Sequence, residues 1–377
     1  MTCIDSRAFL YTSPAMRLPP LQSLDATRFD QPALLKRLNV ASRGLAELKG
    51  LAASIPNQSI LVSTLTLQEA RDSSAIENII TTQDDLYRGD DAIDATGSAA
   101  KEVLRYRQAL QAGYAQVQAT GLLTLNTILQ IQTALEANRA GFRKVPGTAL
   151  RDGAGRVVYE PPQDANEIRR LMGELEHFMH EPPPGAMDPL VRMALVHHQF
   201  ESIHPFYDGN GRTGRIINVL YLVKEGLLDI PVLYLSRHIV RTKPDYYRLL
   251  QAVRDDDAWE DWVAYMLDAV ANTASETIDT VRAIRDLLSQ TKQRLRADYR
   301  FYSQDLLNNL FHHPYTRIEF VQRELGVSRV TATRYLDTLA NDGVLEKMRV
   351  GRNNYYVNRP LFALLGKGAE TGTTTGR

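Results

Sequence analysis

Residues 204–215 place one imidazole, one carboxylate and two guanidinium groups around a glycine-rich loop. His204 is suited to act as a general base toward an incoming hydroxyl group. Asp208 is suited to hold Mg²⁺ through carboxylate oxygens. Arg212 and Arg215 are three residues apart, so on a helix they would share a face and could bind phosphates through paired N–H donors. These residue types indicate nucleotide-dependent group transfer to a hydroxyl.

The loop sequence GNGRTG, residues 209–214, also fits the dinucleotide-binding pattern G-x-G-x-x-G and the glycine spacing of a P-loop. Both of those loops must follow a buried strand, and a P-loop needs a lysine where this chain has Arg215. The residues before this loop have a helical pattern instead. A calcium loop starting at Asp208 would need a carboxylate where Val219 stands. None of the three interpretations fits.

A tight glycine loop that leads into a helix remains. Gly209, Asn210 and Gly211 tolerate the backbone angles of an anion-binding nest. The N-terminus of the following helix presents free backbone N–H groups and the positive end of its dipole. We assign Thr213 and Gly214 to the same nucleotide-binding segment. The segment is therefore predicted to bind the phosphates of a nucleotide.

Two predicted helices position this loop. Asp188 is a typical N-cap with Pro189 at the first helical position, and this helix should run to about Ile203. The helix after the loop, residues 212–225, is apolar on nearly all sides and should end at Gly226. It is predicted to be the buried central helix of the domain.

The remaining pattern is mainly helical. Helical periodicity predicts further helices at residues 31–54, 63–80, 99–119, 125–137, 164–180 and several across 243–295. Strand-like runs at 142–147 and 156–159 flank a turn at 151–155 and predict a lone hairpin within 141–162. We divide the chain into an N-terminal arm with helices (1–60), a core (61–280), a C-terminal unit (281–365) and a disordered tail (366–377).

Composition excludes several classes of protein. Lys plus Arg equals Asp plus Glu at 44 each in 377 residues, so no overall charge attracts the chain to nucleic acid or membrane. The single cysteine, Cys3, rules out an internal disulfide and a cysteine-based metal site. The other histidines lack the spacing of a zinc site. Without a predicted signal peptide or membrane span, we expect a cytoplasmic protein that has no membrane partner.

The C-terminal unit has a different pattern. Two short helices, 317–325 and 329–341, are joined by a Gly-Val-Ser turn and followed by two short strands up to Val357. This order is typical of a winged helix-turn-helix. Basic residues outnumber acidic ones here, with Arg329 and Arg334 on the second helix and Lys347, Arg349 and Arg352 on the wing. DNA binding and protein docking or self-association both remain open.

The stretch from His204 to Arg215 resembles the signature of the Fic family of protein adenylyltransferases at every position that defines the motif. The resemblance extends over about residues 60–280. It implies a Fic-type helical core in which the hairpin at 141–162 is a target-binding flap. Tyr246 and Tyr247 resemble the family's tyrosine pair, of which the first, Tyr246, contacts the adenine region.

In that family a target hydroxyl, deprotonated by the histidine, attacks the α-phosphate of ATP and releases pyrophosphate. The resemblance implies that His204 is the base and Asp208 the Mg²⁺ ligand. It makes residues 209–211 the anion nest, and Arg212 and Arg215 the clamps for the β- and γ-phosphates. Gly211 favours adenylyl transfer, because the related phosphoryl-transferring branch has lysine there.

The segment 73–78 fits the family's inhibitory pattern of Ser or Thr, three residues, Glu, and then Gly or Asn. Ser73 and Glu77 are four residues apart and share a helical face. Glu77 could then pair with Arg215 and occupy the guanidinium that ATP needs. With Asn78 as its last residue, this segment is predicted to be a built-in inhibitor on a helix at 63–80.

The sequence therefore predicts an autoinhibited adenylyltransferase that uses ATP and Mg²⁺ and modifies a protein hydroxyl, with self-modification and removal of AMP both open. The alternative is a DNA-binding regulator in which the nucleotide site acts as a sensor. The intact His204 favours the enzyme, because a sensor needs no base. A phosphoryl transferase is a more distant third choice. We also expect a homo-oligomer, with a dimer as the simplest form.

Overall fold

The computed structural model describes residues 18–82, 86, 98–181, 187–350 and 353–366. The predicted arm up to residue 17, residues 182–185 between two predicted helices, Arg352 of the wing and the tail from 367 lie outside these residues. The described part is mainly α-helical with two small sheets, so the predicted fold class is confirmed. No helix among the described residues is long and apolar enough to cross a membrane.

The core consists of helices numbered here in chain order. Their bounds are α1 Pro32–Ala53, α2 Ser59–Ile76, α3 Ser98–Thr120, α4 Leu125–Glu136, α5 Ala165–His180, α6 Pro189–Ile203, α7 Asn210–Lys224, α8 Leu235–Arg241, α9 Lys243–Asp256 and α10 Trp259–Asp298. Helix α1 packs along α10, and α7 packs between α6, α3 and α4. The two helices that flank the glycine loop are therefore enclosed by the rest of the core.

Helices α6 and α7 begin and end close to their predicted bounds. The Asp188 side chain accepts a hydrogen bond from the backbone N–H of Leu190, and Pro189 is the first helical residue. Nearly every residue of α7 from Asn210 to Leu222 is buried, as expected for a helix that is apolar on all sides. Just past its C-terminal end, Gly226 adopts φ 70°, which a side chain would disfavour.

Helix α2 starts and ends about four residues earlier than predicted. The Asn57 side chain accepts a hydrogen bond from Ser59 N–H at its start. At its end, Asn78 has φ 62°, Asn78 N–H donates to Ala75 O, and Ile79 N–H donates to Ser74 O. These two bonds are a Schellman motif, which stops the helix at Ile76. The prediction followed one helical face and overlooked these two asparagine signals.

The hairpin at 141–162 exists, but its first strand lies later than predicted. Strands β1, Leu150–Arg151, and β2, Val157–Tyr159, pair antiparallel around the expected turn. Residues 142–147, predicted as a strand, are irregular because their polar groups bond elsewhere. Arg143 N–H donates to Pro205 O, and Gly147 N–H donates to the Gln163 side chain. The base of the hairpin is thus attached to the glycine loop.

The C-terminal unit has the element order of the predicted winged helix-turn-helix. Its elements are α11 Gln304–His312, β3 Tyr315–Thr316, α12 Ile318–Leu325, α13 Arg329–Asn341, β4 Glu346–Val350, β5 Asn353–Val357 and α14 Arg359–Gly366. The strands form one antiparallel sheet in the order β3-β5-β4. The predicted boundary at residue 281 falls inside α10, which continues from the core into this unit.

The C-terminal unit contacts the core through α2. Ser63 Oγ donates to His312 O of α11 at 3.3 Å. Gln68 Nε2 donates to Leu365 O of α14 at 2.7 Å. Helix α2 therefore lies between the glycine-loop helices and the C-terminal unit.

Candidate active site

A sharp reversal of the backbone connects α6 to α7. His204 ends α6 in the left-handed conformation, with φ 47° and ψ 59°. Asn210 closes the loop from the other side, because its Oδ1 accepts from Phe206 N–H at 2.8 Å and its Nδ2 donates to Phe206 O at 2.9 Å. Phe206 itself is fully buried. The buried Asn210 side chain thus holds the loop shape, a role that spacing alone did not indicate.

Two of the loop glycines lie directly against glutamate carboxylates. Gly209 has φ 77°, and a Cβ atom there would lie 2.4 Å from Glu136 Oε1. A Cβ atom at Gly211 would lie 2.5 Å from Glu77 Oε1. The carboxylate of Glu77 therefore lies against the first turn of α7, where free backbone N–H groups favour an anion.

Arg215 is the buried cation of the site, with 1% of its side chain exposed. Its Nη2 donates to Glu77 Oε1 at 2.8 Å and to Ser73 O at 3.0 Å, and its Nε donates to Ser73 Oγ at 2.8 Å. A buried guanidinium needs such partners, because leaving it unpaired costs about 3–5 kcal/mol. The structure thus brings Arg215 together with Ser73 and Glu77, both of which lie far from it in the sequence.

Glu77 is ionised in this arrangement. Burial opposes its charge, but the positive charge and hydrogen bond of Arg215, with Arg212 and Lys243 nearby, outweigh burial and lower the pKa of the carboxyl. Lys243 also donates to Ile76 O and to Asn78 Oδ1, which adds a cation at the C-terminal end of α2. A carboxylate therefore stands where a phosphate group could bind.

Arg212 and Arg215 do not share a partner. Arg212 Nη1 donates to Glu102 of α3 at 3.0 Å, and Nη2 donates to Glu136 of α4 at 2.9 Å. Its side chain is 5% exposed. The sequence analysis did not find these two carboxylates, because they lie on other helices and have no characteristic spacing from Arg212. Phosphate binding by Arg212 would have to share its guanidinium with these two groups.

His204 is neutral at ordinary pH. Burial lowers the pKa of its imidazole from 6.5 to about 4, and the positive charge of Arg143 acts in the same direction. Its Nδ1 atom is buried without a hydrogen-bond partner among the described residues. An unprotonated imidazole has the protonation state that a general base requires.

Asp208 lies at the outer end of the loop. Its side chain is 78% exposed, and Oδ1 accepts from Gly209 N–H at 2.7 Å. The described residues contain no group of three or more acidic, histidine or cysteine side chains that could hold a metal ion. A single accessible carboxylate fits Mg²⁺, which is commonly bound by one or two carboxylates together with substrate phosphates and water.

Thr213 and Gly214 lie in the first turns of α7. Thr213 is fully buried, and its Oγ1 has no hydrogen-bond partner among the described residues. Gly214 allows a close approach to α6, because a Cβ atom there would lie 2.8 Å from Glu201 Oε1. Both residues therefore contribute to the tight packing of α7 behind the loop.

Tyr246 is buried, with 2% of its surface exposed, and lies next to Trp262 in an aromatic cluster. Its hydroxyl forms a 2.8 Å hydrogen bond with His197 Nε2. Tyr247 stands edge-on to Tyr246 and is 46% exposed. Of the tyrosine pair, Tyr247 offers the accessible ring. His198, the other histidine on α6, bonds to Leu250 O through Nε2.

Glu201 is a buried acid that the sequence analysis overlooked. Burial raises the pKa of its carboxyl from 4.5 to about 7, although the charges of Arg215 and Arg254 oppose this. The folded state therefore binds a proton more readily than the unfolded chain between pH 4.5 and about 7. The stability that the neutral form contributes is present below this window and is lost as the pH rises through 7.

We predict that Glu201→Gln raises the unfolding temperature more at about pH 8 than at about pH 5. Glutamine keeps the size of the side chain and removes the cost of a buried charge. Calorimetry at both pH values checks this, with Glu181→Gln as the control because the Glu181 side chain is 71% exposed. Equal shifts at the two pH values would contradict it.

The fold and site define a helical protein in which a glycine loop leads into a helix N-terminus that faces the Glu77 carboxylate, next to a neutral histidine. Comparison with known families agrees with this class. Residues 35–115 match the Fic/DOC family N-terminal model, 122–222 the Fic/DOC family model, and 287–361 the C-terminal domain model of SoFic-like protein adenylyltransferases. Together these matches cover more than half of the chain, which belongs to the Fic/DOC family.

Similar proteins carry the same family name at low identity. The chain is 26% identical over 187 residues to "Protein adenylyltransferase Fic" of Nematostella vectensis, covering 48% of this chain and 39% of that protein. It is 31% identical over 122 residues to "Protein adenylyltransferase fic-1" of Caenorhabditis briggsae, covering 30% and 23%. The chain thus spans less than half the length of these relatives.

Solved structures share the fold. A Fic family protein from Desulfovibrio desulfuricans G20 aligns with a TM-score of 0.54 at 20% identity, covering 92% of this chain and 98% of that one. Fic-1 from C. elegans aligns with a TM-score of 0.51 at 18% identity, covering 68% and 74%. The first of these alignments spans nearly the whole chain.

Proposed function

We propose that this protein is an autoinhibited protein adenylyltransferase, which moves AMP from ATP to a Ser, Thr or Tyr hydroxyl of a target protein. The observation that carries this proposal is the carboxylate of Glu77, bound by Arg215 against the first turn of α7. An anion of this chain occupies a site suited to phosphate, and neutral His204 ends the preceding helix. Relatives named protein adenylyltransferase support the same reaction class.

In the proposed reaction the target hydroxyl oxygen attacks the α-phosphorus of ATP. A new P–O bond forms, the bond to the β-phosphate oxygen breaks, and pyrophosphate leaves. The hydroxyl proton moves to the imidazole of His204, which is unprotonated because burial lowers its pKa to about 4. The N-terminus of α7 and Arg215 stabilise the phosphate charge.

Mg²⁺ would be held by the exposed carboxylate of Asp208 together with the phosphates of ATP. When bound, it would supply positive charge that neutralises the phosphates. The Asp208 side chain is exposed, and its contacts are the bond from Gly209 N–H and an ion pair with Arg212 Nη2 at 3.9 Å. Substitution of Asp208 should therefore affect the magnesium requirement of the reaction more than it affects folding.

We predict that Asp208→Asn raises the Mg²⁺ concentration needed for half-maximal transfer by at least about tenfold, because a neutral amide binds the ion more weakly than a carboxylate. Chelation of the metal should abolish transfer in both forms. A magnesium titration of initial rates checks this, with Asp152→Asn as the control, since Asp152 bonds only within the hairpin turn. An unchanged magnesium requirement would remove Asp208 from the metal site.

Inhibition is proposed to act through the same guanidinium that ATP needs. While Glu77 is paired with Arg215, the γ-phosphate loses its partner, so bound ATP would present its α-phosphate in the wrong orientation. A displacement of about 1 Å at a reacting group can cost about 10²-fold in rate. Ser73 strengthens the inhibited state, because its hydroxyl and its carbonyl both accept from Arg215.

The hairpin is proposed to hold the target by strand addition. Val157 and Val158 of β2 are 44% and 46% exposed, and Val145, in the irregular first part of the hairpin segment, is 63% exposed. Among the described residues β2 pairs only with β1, so its other edge is open to an extended segment. An open strand edge with exposed apolar side chains suits a peptide that brings its hydroxyl to His204.

Isotope-labelled ATP tests the reaction class directly. Purified protein carrying Glu77→Gly is incubated with a bacterial extract, which supplies target proteins, and with ATP labelled at either the α- or the γ-phosphate. Label from α-ATP on protein, without label from γ-ATP, is the expected result. Transfer of γ-label would indicate a phosphoryl transferase, and no label from either would contradict the proposal.

The DNA-binding alternative receives less support from the C-terminal unit. On α13 Arg329 pairs with Glu319 at 2.8 Å, and on the wing Lys347 pairs with Asp337 at 2.7 Å. Basic residues paired with acids attract phosphates weakly. A salt-dependent mobility shift on duplex DNA would favour the alternative. Cytoplasmic location, a dimer and removal of AMP stay predictions.

A further inference from the structure

Residues of the hairpin segment donate hydrogen bonds to four consecutive backbone carbonyl groups around the catalytic histidine, His204. Tyr159 Oη donates to Ser202 O at 2.9 Å. Arg143 Nη2 donates to Ile203 O at 3.2 Å, and Arg143 Nε donates to His204 O at 2.8 Å. The backbone N–H of Arg143 donates to Pro205 O at 2.8 Å.

These carbonyls need partners from outside the helix. The last carbonyls of an α-helix have no intrahelical donor, and α6 ends at Ile203. His204 then adopts the left-handed conformation, which is unfavourable for a residue with a side chain. The Arg143 guanidinium supplies donors at this point and places a cation at the negative end of α6.

Arg143 also connects the two ends of the hairpin segment. Its Nη2 donates to Pro162 O at the far end of the segment. The side chain is almost completely buried, at 1% exposure, and the preceding residue, Phe142, packs against Phe206 with ring centroids 5.4 Å apart. Burial of a guanidinium is costly, and the bonds of Arg143 to backbone carbonyls at both ends of the segment offset that cost only in part, since Nη1 is buried without a partner among the described residues.

We propose that Arg143 is a positioning residue that fixes the left-handed turn of His204 and ties the base of the hairpin to the catalytic imidazole. This proposal rests on the proposed function. It extends that function, because it links the position of the hairpin to that of the His204 imidazole, which would otherwise be independent of each other. The bonds of Arg143 go to the backbone carbonyls of residues 203–205 and 162, which lie outside the nucleotide loop at 209–215.

The charge of Arg143 has a second consequence for His204. The charged groups acting on the imidazole are Arg143, Arg254 and Glu77. After burial itself, Arg143 contributes most to lowering the histidine pKa, Arg254 adds to it, and Glu77 opposes it. Loss of the Arg143 charge should therefore move the pKa of His204 upward, toward 6.5.

The test uses the full chain carrying Glu77→Gly as the parent, with Arg143→Gln and Arg143→Lys added separately. Arg169→Gln is the matched control, because Arg169 is exposed on α5 and bonds to Asn166. Initial rates of α-label transfer are measured against ATP concentration and pH. The pKa of His204 is measured by NMR titration of its ring resonances, assigned with His204→Asn.

For Arg143→Gln we expect kcat to fall by at least about tenfold with the KM for ATP changed by less than about threefold. The acid limb of the rate profile and the NMR pKa of His204 should both move upward, toward 6.5. Arg143→Lys keeps the charge but not the geometry, so kcat should fall while the pKa stays low.

Measurements of kcat, of the KM for ATP and of the His204 pKa distinguish a positioning role of Arg143 from a purely structural one. If Arg143→Gln lowers only the unfolding temperature, with kcat and the His204 pKa unchanged, the proposal is overturned. If the parent transfers no label, the proposed function fails instead. The NMR titration then still decides whether Arg143 acts on His204, because it needs no turnover.

Discussion

Removing the imidazole of His204 in the Glu77→Gly protein is expected to lower the rate of AMP transfer by about 10²–10⁴-fold, the usual contribution of a general base. The structure gives the reason, since burial lowers the pKa of His204 and holds the ring neutral. Without the ring, the hydroxyl proton has no acceptor at this position. Initial rates of α-label transfer, with Glu77→Gly as the reference, measure the effect.

The His204→Ala protein should still bind ATP, because the helix N-terminus and Arg215 remain. An ATP-induced rise in unfolding temperature equal to that of the reference verifies this. His177→Ala serves as the matched control, since the His177 side chain is 54% exposed and far from the loop in sequence. A loss smaller than about tenfold would mean that another group accepts the proton.

The same histidine sets the pH dependence. Its pKa is lowered from 6.5 to about 4, so the base stays unprotonated down to weakly acidic pH. The acid limb of kcat/KM should therefore lie well below pH 6.5. A midpoint near 6.5 would show that the ring is more accessible to water during turnover than in this structure.

The second large effect is expected from Glu77→Gly, which should raise the transfer rate by about 10²-fold. The substitution frees the Arg215 guanidinium and the first turn of α7, both now occupied by the Glu77 carboxylate. Glycine is tolerated because Glu77 lies at the end of α2, outside its regular turns. Initial rates of wild type and variant at saturating ATP give the comparison.

Stability supplies an independent check on this inhibitory contact. Without ATP, Glu77→Gly leaves a guanidinium with 1% exposure short of its counter-charge, so the unfolding temperature should fall. ATP should then raise the unfolding temperature more in the variant than in wild type, because its phosphate replaces the lost carboxylate. Glu77→Gln should behave similarly, since the amide carries no charge.

Glu225→Gln is the control for a lost ion pair. Glu225 pairs with Lys224 at 2.6 Å at the opposite end of α7, away from the glycine loop. It should change neither the rate nor the response to ATP. If Glu77→Gly also leaves the rate unchanged while its ATP response increases, Glu77 governs nucleotide affinity and the inhibition proposal is wrong.

Local signals in the sequence predicted most elements of the fold. The Asp188-Pro189 start, the glycine loop and the apolar helix that ends near Gly226 depend on neighbouring residues, so they could be read without tertiary information. The bounds of α2 and the first strand of the hairpin were predicted less well. Their ends depend on Asn57, Asn78 and the buried bonds of Arg143.

The candidate site was only partly predictable for the same reason. The resemblance to the family motif singled out His204, Asp208, Arg215 and Glu77, and it predicted the Glu77–Arg215 pair that the structure contains. It gave no sign that Arg212 is held by Glu102 and Glu136. Side chains on helices distant in sequence leave no periodic signal, since their meeting depends on how the helices pack.

By itself, the sequence determined the chemistry of the loop and the order of the helices, because residue type and short-range spacing fix both. Tertiary structure decided which charges meet and which are neutralised. Packing buries Arg215 against Glu77 and removes water from His204 and Glu201, which lowers one pKa and raises the other. Desolvation is a property of the whole packed core, so no short stretch of sequence reveals it.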